Sequence, residues 1–220
     1  MDCFQFPRSA GLGGSEGSKF TIAVFTTRHQ QVFDTMTLFL DHAIQRVIKM
    51  DDSLQEYILA AYRGLFGHLC DVDKIPKDVK AFETFYHDPS GCFLVCREDD
   101  KILGMIGYLP FDRRFRRLDG TVRPELSYSQ KTAVEVVRLF VTPSFRSRGL
   151  ATALIDALVI EAKNANVDIM YLHTHDFLPG ARQLWIKSGW RLVVQDEDEP
   201  WKSIHMERDL RDERYGHVPA

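Results

Sequence analysis

The sequence predicts a single α/β domain in which a mixed central β-sheet is flanked by helices. Three observations carry this. From residue 133 onward, β-branched runs alternate with helical periodicity in the order strand, helix, strand, helix, the pattern of parallel strands joined by helical crossovers. Before that, two apolar runs are joined by the acidic turn Glu98-Asp99-Asp100, which predicts an antiparallel hairpin and makes the sheet mixed. Finally, 220 residues at 45% hydrophobic content can bury one sizeable core, and no linker divides the middle of the chain.

The elements follow in order. Residues 9–18 hold four glycines and three serines in ten positions. Such a stretch buries little apolar surface, so 1–18 reads as a flexible leader, 19–210 as the domain and 211–220 as a tail. Residues 20–25 are β-branched and aromatic and read as a strand. Helices are expected over 29–50, where Phe33, Met36, Phe39, Leu40 and Ala43 recur at helical spacing, and over 52–68. A third helix is expected over 77–87, after Pro76. The hairpin runs are 92–96 and 102–109. Residues 111–132 carry six Lys or Arg against three Asp or Glu, which reads as a solvated loop or as a loop lying over a substrate site. Beyond it the pattern predicts a strand over 133–141, a helix over 149–165, a strand over 168–173 and a helix over 180–188 ending at Gly189. A closing hairpin over 190–194 and 203–208 completes the sheet.

Charge and composition exclude some classes of function. The formal net charge is −3, so no global attraction to nucleic acid or to an anionic membrane is expected. No apolar run approaches the ~18 residues of a membrane helix, and Met1-Asp2-Cys3-Phe4-Gln5 is no basic segment followed by an apolar one, so no secretory signal is expected. Cys3, Cys70, Cys92 and Cys96 form no CxxC pair. They read as reduced thiols, Cys92 and Cys96 on one face of a strand, and so as those of a cytoplasmic protein.

The chemistry concentrates between Val137 and Leu154. A buried strand ends at Val141, a turn with Pro143 follows, and Arg146-Ser147-Arg148-Gly149-Leu150-Ala151 opens a helix. The first N–H groups of a helix lack internal partners and sit at the positive end of its dipole. With a glycine allowing close approach, that is a site for a phosphate or pyrophosphate. Arg146 and Arg148 can add charge, and Ala151 and Thr152 are small enough to leave the approach clear.

This R-x-x-G-x-A segment resembles the acetyl-CoA signature of the GNAT superfamily of N-acetyltransferases. The lead-in Glu135-Val136-Val137-Arg138-Leu139-Phe140-Val141-Thr142-Pro143 is similar to the family's E-x-x-R-L-x-V-x-P. Ala181 to Trp190 is similar to its A-x-x-L-Y-x-x-x-G-F, the hairpin 100–107 to its earlier glycine-bearing hairpin, and 201–210 to its last strand. The resemblance implies the GNAT acyl-CoA N-acyltransferase fold and a ternary-complex reaction, with acetyl-CoA as co-substrate and no metal. It implies that backbone groups of Leu139, Phe140 and Val141 pair with the pantetheine arm. The amides of Arg146, Ser147, Arg148, Gly149, Leu150, Ala151 and Thr152 would hold the pyrophosphate. The acceptor would be a primary amine of a small molecule or peptide, with no nucleic acid or membrane partner, and the protein a monomer or homodimer.

An alkylammonium must lose a proton before it attacks, so a general base is needed. Glu135 lies fourteen residues before Gly149, a spacing at which some members of the family carry a catalytic glutamate. Burial among Val134, Val136 and Val137 would strip water from its carboxylate and favour proton uptake. His173 and His175 follow Met170-Tyr171-Leu172 and are expected as proton-transfer or substrate groups, His175 ahead of His173, or as ordinary loop residues; with Asp176 they lack further ligands at metal-site spacing. Trp185 stands where the family carries its acid tyrosine, so it is expected to pack against the donor without protonating the leaving thiolate. That replacement keeps a second reading open, an acyl-CoA-binding sensor of the same fold. A protein or histone lysine acetyltransferase is a third, drawing only on the arginine-rich loop.

Overall fold

The computed structural model describes residues 44–69, 74–87, 91–112, 123–197 and 199–212. The expected leader, the strand over 20–25 and most of the helix expected over 29–50 lie outside these residues, as do the tail beyond residue 212 and 113–122 of the arginine-rich loop.

Seven strands form one sheet in the order β1-β2-β3-β4-β5-β7-β6. They are β1 Ile44–Arg46, β2 Cys92–Glu98, β3 Lys101–Pro110, β4 Ala133–Val141, β5 Ile169–His175, β6 Arg191–Gln195 and β7 Ser203–Asp209. Neighbours are antiparallel except β4 and β5, the expected parallel pair, so the sheet is mixed. Among the described residues five helices accompany it: α1 Asp52–Phe66, α2 Lys77–Lys80, α3 Phe82–Phe85, α4 Leu150–Asn164 and α5 Ala181–Lys187.

Local chemistry accounts for most of these boundaries. The Asp51 carboxylate accepts the Leu54 N–H at 2.8 Å and caps α1. Helix α4 starts where Gly149 turns left-handed, at φ +84°, and carries Leu150, Leu154, Ile155, Leu158, Val159 and Ala162 into the core. These pack on the sheet face formed by Val134, Val136, Met170, Leu172, Ile204 and Met206, the alternate residues of β4, β5 and β7. Gly104 of β3 permits that packing, because a Cβ there would lie 2.9 Å from Leu154 Cδ1. The opposite face of β2 and β3 is covered by Leu54, Ile58, Val79, Phe82 and Tyr86 from α1 to α3 and their flanks.

Two expectations are corrected. Residues 44–46, expected inside a helix, form edge strand β1, with Ile44 paired to Cys96 and Arg46 to Leu94. The helix expected over 77–87 is two short ones, broken at Ala81 (φ −120°, ψ 48°). The break lets both Val79 and Phe82 reach the core, where Phe82, Tyr86 and Phe93 pack ring to ring at 4.7–5.1 Å. Cys92 and Cys96 are buried on one face of β2 and are not joined in a disulfide. Among the described residues no helix is long and apolar enough to cross a membrane.

Candidate active site

The site grows from a fork in the sheet. Strands β4 and β5 pair only over Ala133–Ile169, Val134–Met170 and Glu135–Tyr171. Beyond Glu135, β4 runs on to Val141 alongside β3 alone, and its edge toward β5 opens. Leu139 and Phe140 are partly exposed there.

A β-bulge accompanies the opening. Between the pairs Met105–Phe140 and Gly107–Val137, β3 advances two residues and β4 three. The extra residue lies next to Arg138, whose φ of +62° is unusual for a side-chain-bearing residue. An ion pair compensates. Arg138 Nη2 and Nε donate to the two Asp78 oxygens at 2.7 and 3.0 Å, and Tyr86 O–H donates to Asp78 at 2.7 Å. These hydrogen bonds hold the Asp78 carboxyl below its ordinary range although burial, the largest influence, pushes it up. Sequence reasoning missed this device; its signal was an arginine inside an apolar strand. Removing one partner of a buried pair leaves an uncompensated charge. Asp78→Ala should therefore cost about 3 kcal/mol in urea unfolding. A loss under about 1 kcal/mol would show that the pair does not hold the bulge.

The loop after β4 has the geometry of an anion cradle. Ser147 (φ +59°) and Gly149 (φ +84°) both turn left-handed just before α4. No side chain caps that helix. The first intrahelical bond runs from the Ala153 N–H to the Gly149 carbonyl, so the amides of Leu150, Ala151 and Thr152 precede the helical ladder. A Cβ built on Gly149 meets nothing within 4 Å, so the space above these amides is open. Arg146 and Arg148 are exposed beside it. Arg146 Nε donates to the Val141 carbonyl at 3.0 Å with its guanidinium 5.5 Å from the Phe140 ring centre, and Arg148 lies over Phe145 at 5.3 Å.

On the face of β4, β5 and β7 away from α4 stand Glu135, Tyr171, His173, His175, His205 and Glu207. Glu135 is fully buried, and its Oε1 lies 3.2 Å from Nδ1 of His173, which keeps 26% of its side chain exposed. Sequence reasoning ranked His175 for the site, but it is His173 that the structure sets beside Glu135. His175, one step further along the same face, is buried and its Nδ1–H donates to the Trp201 carbonyl at 2.9 Å. Next to them, Arg123 pairs with Asp196 at 2.7 Å, Asp196 accepts from His205 Nε2 at 3.0 Å, and His205 Nδ1 accepts from Tyr171 O–H at 2.6 Å. Tyr128 O–H donates to Glu207 at 2.8 Å, and Arg191 pairs with the same carboxylate.

Trp185, expected to pack against the donor, is carried by α5 into the core, where it is 6% exposed and packs edge-on to Trp190 at 5.0 Å.

Burial, aided by nearby His173, pushes His175 down to about 4 against the pull of its bond to the Trp201 carbonyl. Burial also lowers His205, against Asp196. An unfolded histidine titrates near 6.5. The unfolded chain then binds the proton more readily than the folded one. The folded state is favoured in full above about pH 6.5, and that contribution is lost as pH falls toward 4. His175→Gln keeps a donor for the Trp201 carbonyl but cannot titrate. Its Tm should fall less steeply than that of the wild type between pH 6.5 and 4, and equal slopes would refute the buried neutral ring.

Comparison with known proteins agrees with this geometry. The acetyltransferase (GNAT) family model matches residues 53–190. Human N-acetyltransferase 8 is 25% identical over 113 residues, covering 51% of this chain and 44% of that protein, so the match spans less than half of the relative's length. Among solved structures, a GNAT-family acetyltransferase from Staphylococcus aureus superposes with a TM-score of 0.56 at 22% identity, over 77% of this chain and all of that one. An aminoglycoside 6'-N-acetyltransferase solved with coenzyme A gives 0.54 at 14% identity, over 76% of this chain and 96% of that one. The forked sheet, the left-handed loop opening α4 and the family match over more than half of its length lead to one conclusion: this chain belongs to the acetyltransferase (GNAT) family.

Proposed function

We propose that this protein transfers an acyl group, acetyl in the simplest case, from its CoA thioester to a primary amine of a small molecule or peptide. The observation that carries the reading is an alignment along β4. The Glu135–His173 contact lies where the strands still pair, the open edge from Val136 to Val141 follows, and the uncapped start of α4 ends the line. A donor with a thioester at one end and a pyrophosphate at the other fits that order. The amides of Leu150, Ala151 and Thr152, with those of the Arg146–Gly149 loop, would take the pyrophosphate. The backbone of Leu139, Phe140 and Val141 would pair with the pantetheine arm. An N–H near Phe140 or Val141 would polarise the thioester carbonyl.

In this reading His173 accepts the proton of the acceptor ammonium. Glu135 is fully buried behind the partly exposed imidazole, so it orients the ring and stabilises the imidazolium. The freed amine attacks the carbonyl carbon, a C–N bond forms, and the C–S bond breaks to release the thiolate of CoA. With Trp185 in the core, the thiolate takes its proton from solvent or from the attacking amine. Cys92 and Cys96, buried and not joined in a disulfide, support a reducing compartment such as the cytoplasm.

The test is an acetylation screen with acetyl-CoA over amino acids, polyamines, aminoglycosides, arylamines and peptides, read by mass spectrometry. An N-acetylated product, with CoA released in equal amount, is expected. Tight acetyl-CoA binding with no product from any amine would make the protein a binding module.

A further inference from the structure

Next to His173 the fold gathers aromatic rings that the donor site does not use. Phe66, the last residue of α1, is their centre. Its ring meets His175 edge-on at 6.0 Å, Phe177 edge-on at 6.1 Å and Trp201 at 6.2 Å, with Tyr62 one turn back at 5.5 Å. His175 and Phe177 stack at 5.0 Å, 5° from parallel, and His175 lies 5.2 Å from Trp201. Three separate segments therefore converge: the end of α1, the end of β5 and the turn before β7.

Two features separate this cluster from ordinary core. Phe66, Phe177 and Trp201 belong to none of the buried apolar clusters of the described residues, and each keeps part of its surface exposed. The cluster also abuts the proposed proton acceptor, the His173 and His175 rings lying 5.4 Å apart. Its electrostatics are one-sided. The guanidinium of Arg138 sits 5.7 Å from the Tyr62 ring centre, but both arms of its fork are held by Asp78. The Glu135 carboxylate lies behind His173. The combination is an apolar, ring-lined wall ending in a negative group.

We infer that these rings form the acceptor subsite and that it takes an arylalkylamine-type acceptor, a primary amine carried a few bonds from an aromatic ring. The inference rests on the acyltransfer reading above and deepens it. The ammonium would stand at His173, with the Glu135 charge behind it. The acceptor ring would lie against the exposed sides of Phe66, Phe177 and Trp201, which already touch one another, within the roughly 4.5–7 Å at which aromatic pairs attract. His175 lies between the two ends, so the spacer needs roughly two or three bonds. Polyhydroxylated or anionic acceptors find few hydrogen-bond partners on such a wall.

The experiment measures kcat/KM for phenylethylamine and for ethylamine, which has the same amine without the ring, at saturating acetyl-CoA. The ring should raise kcat/KM on the order of 10–100-fold, the factor for burying a phenyl group. Phe66→Ala and, separately, Phe177→Leu should each cut that ratio by about tenfold, with acetyl-CoA affinity within about twofold of wild type. Phe66 ends its helix and Phe177 lies past the end of β5, so neither substitution opens the core. A wild-type ratio near one, or a ratio that neither variant moves, overturns the ring-lined subsite while leaving acyl transfer standing. Failure to bind acetyl-CoA together with inertness toward every amine overturns the acyltransfer reading itself.

Discussion

Gly149→Glu should lower acetyl-CoA affinity by about 100-fold or more in a calorimetric titration. Two effects combine. The new side chain enters the open space above the first amides of α4, where nothing beyond the adjoining residues lies within 4 Å of its Cβ. Its carboxylate then takes the place, and the hydrogen bonds, of the pyrophosphate at the positive end of the helix. Backbone strain is the smaller effect, since holding a side-chain-bearing residue at φ +84° costs roughly 1–2 kcal/mol. Gly149→Ala separates the two. It carries the strain and a methyl group without the charge, so it should lose stability and a smaller part of its donor affinity than Gly149→Glu. Unchanged affinity in Gly149→Glu would remove the basis for placing the donor at this loop.

The parts of the molecule that were legible in the sequence are those with local causes. Strand β4 and helix α4 stand where their periods put them, and Gly149 turns left-handed as a helix-opening glycine can. What escaped was decided by distant contacts. Ile44, Gln45 and Arg46 are too few to show a strand period, and only β2, some fifty residues on, makes them a strand. The break at Ala81 serves the packing of Val79 and Phe82. The bulge at Arg138 depends on Asp78, sixty residues earlier. At the site, Glu135 was visible as a carboxylate in an apolar strand. Its neighbour was not, because His173 and His175 share a face, and only the register of β4 against β5 decides which one it meets. The contact of Trp185 with Trp190 was likewise not announced by its place in the family's motif.

The Glu135–His173 contact carries the second large effect. Glu135→Gln should lower kcat/KM by roughly 10²–10⁴-fold, the loss expected when a general base is disabled. The amide fills the same buried space, so the fold should survive, and the donor dissociation constant should barely move because Glu135 is remote from the α4 amides. His173→Gln should cost about as much, since the imidazole is the group that meets the ammonium. If the two residues act as a unit, the double variant should be hardly worse than either single one, because removing either already disables the proton transfer. Roughly multiplicative losses would instead mean independent roles, with Glu135 taking the proton through a route that does not pass His173. The pH–rate profiles separate these cases. With His173 as the base, the acidic limb should vanish in His173→Gln and persist in Glu135→Gln, whereas a Glu135 acting alone should keep that limb in His173→Gln and lose it in Glu135→Gln. Near-wild-type kcat/KM in Glu135→Gln would move the base away from β4 altogether. His175 would not replace it, because its ring is buried, donates Nδ1–H to the Trp201 carbonyl and is pushed down to about 4, too weak a base for an ammonium at neutral pH.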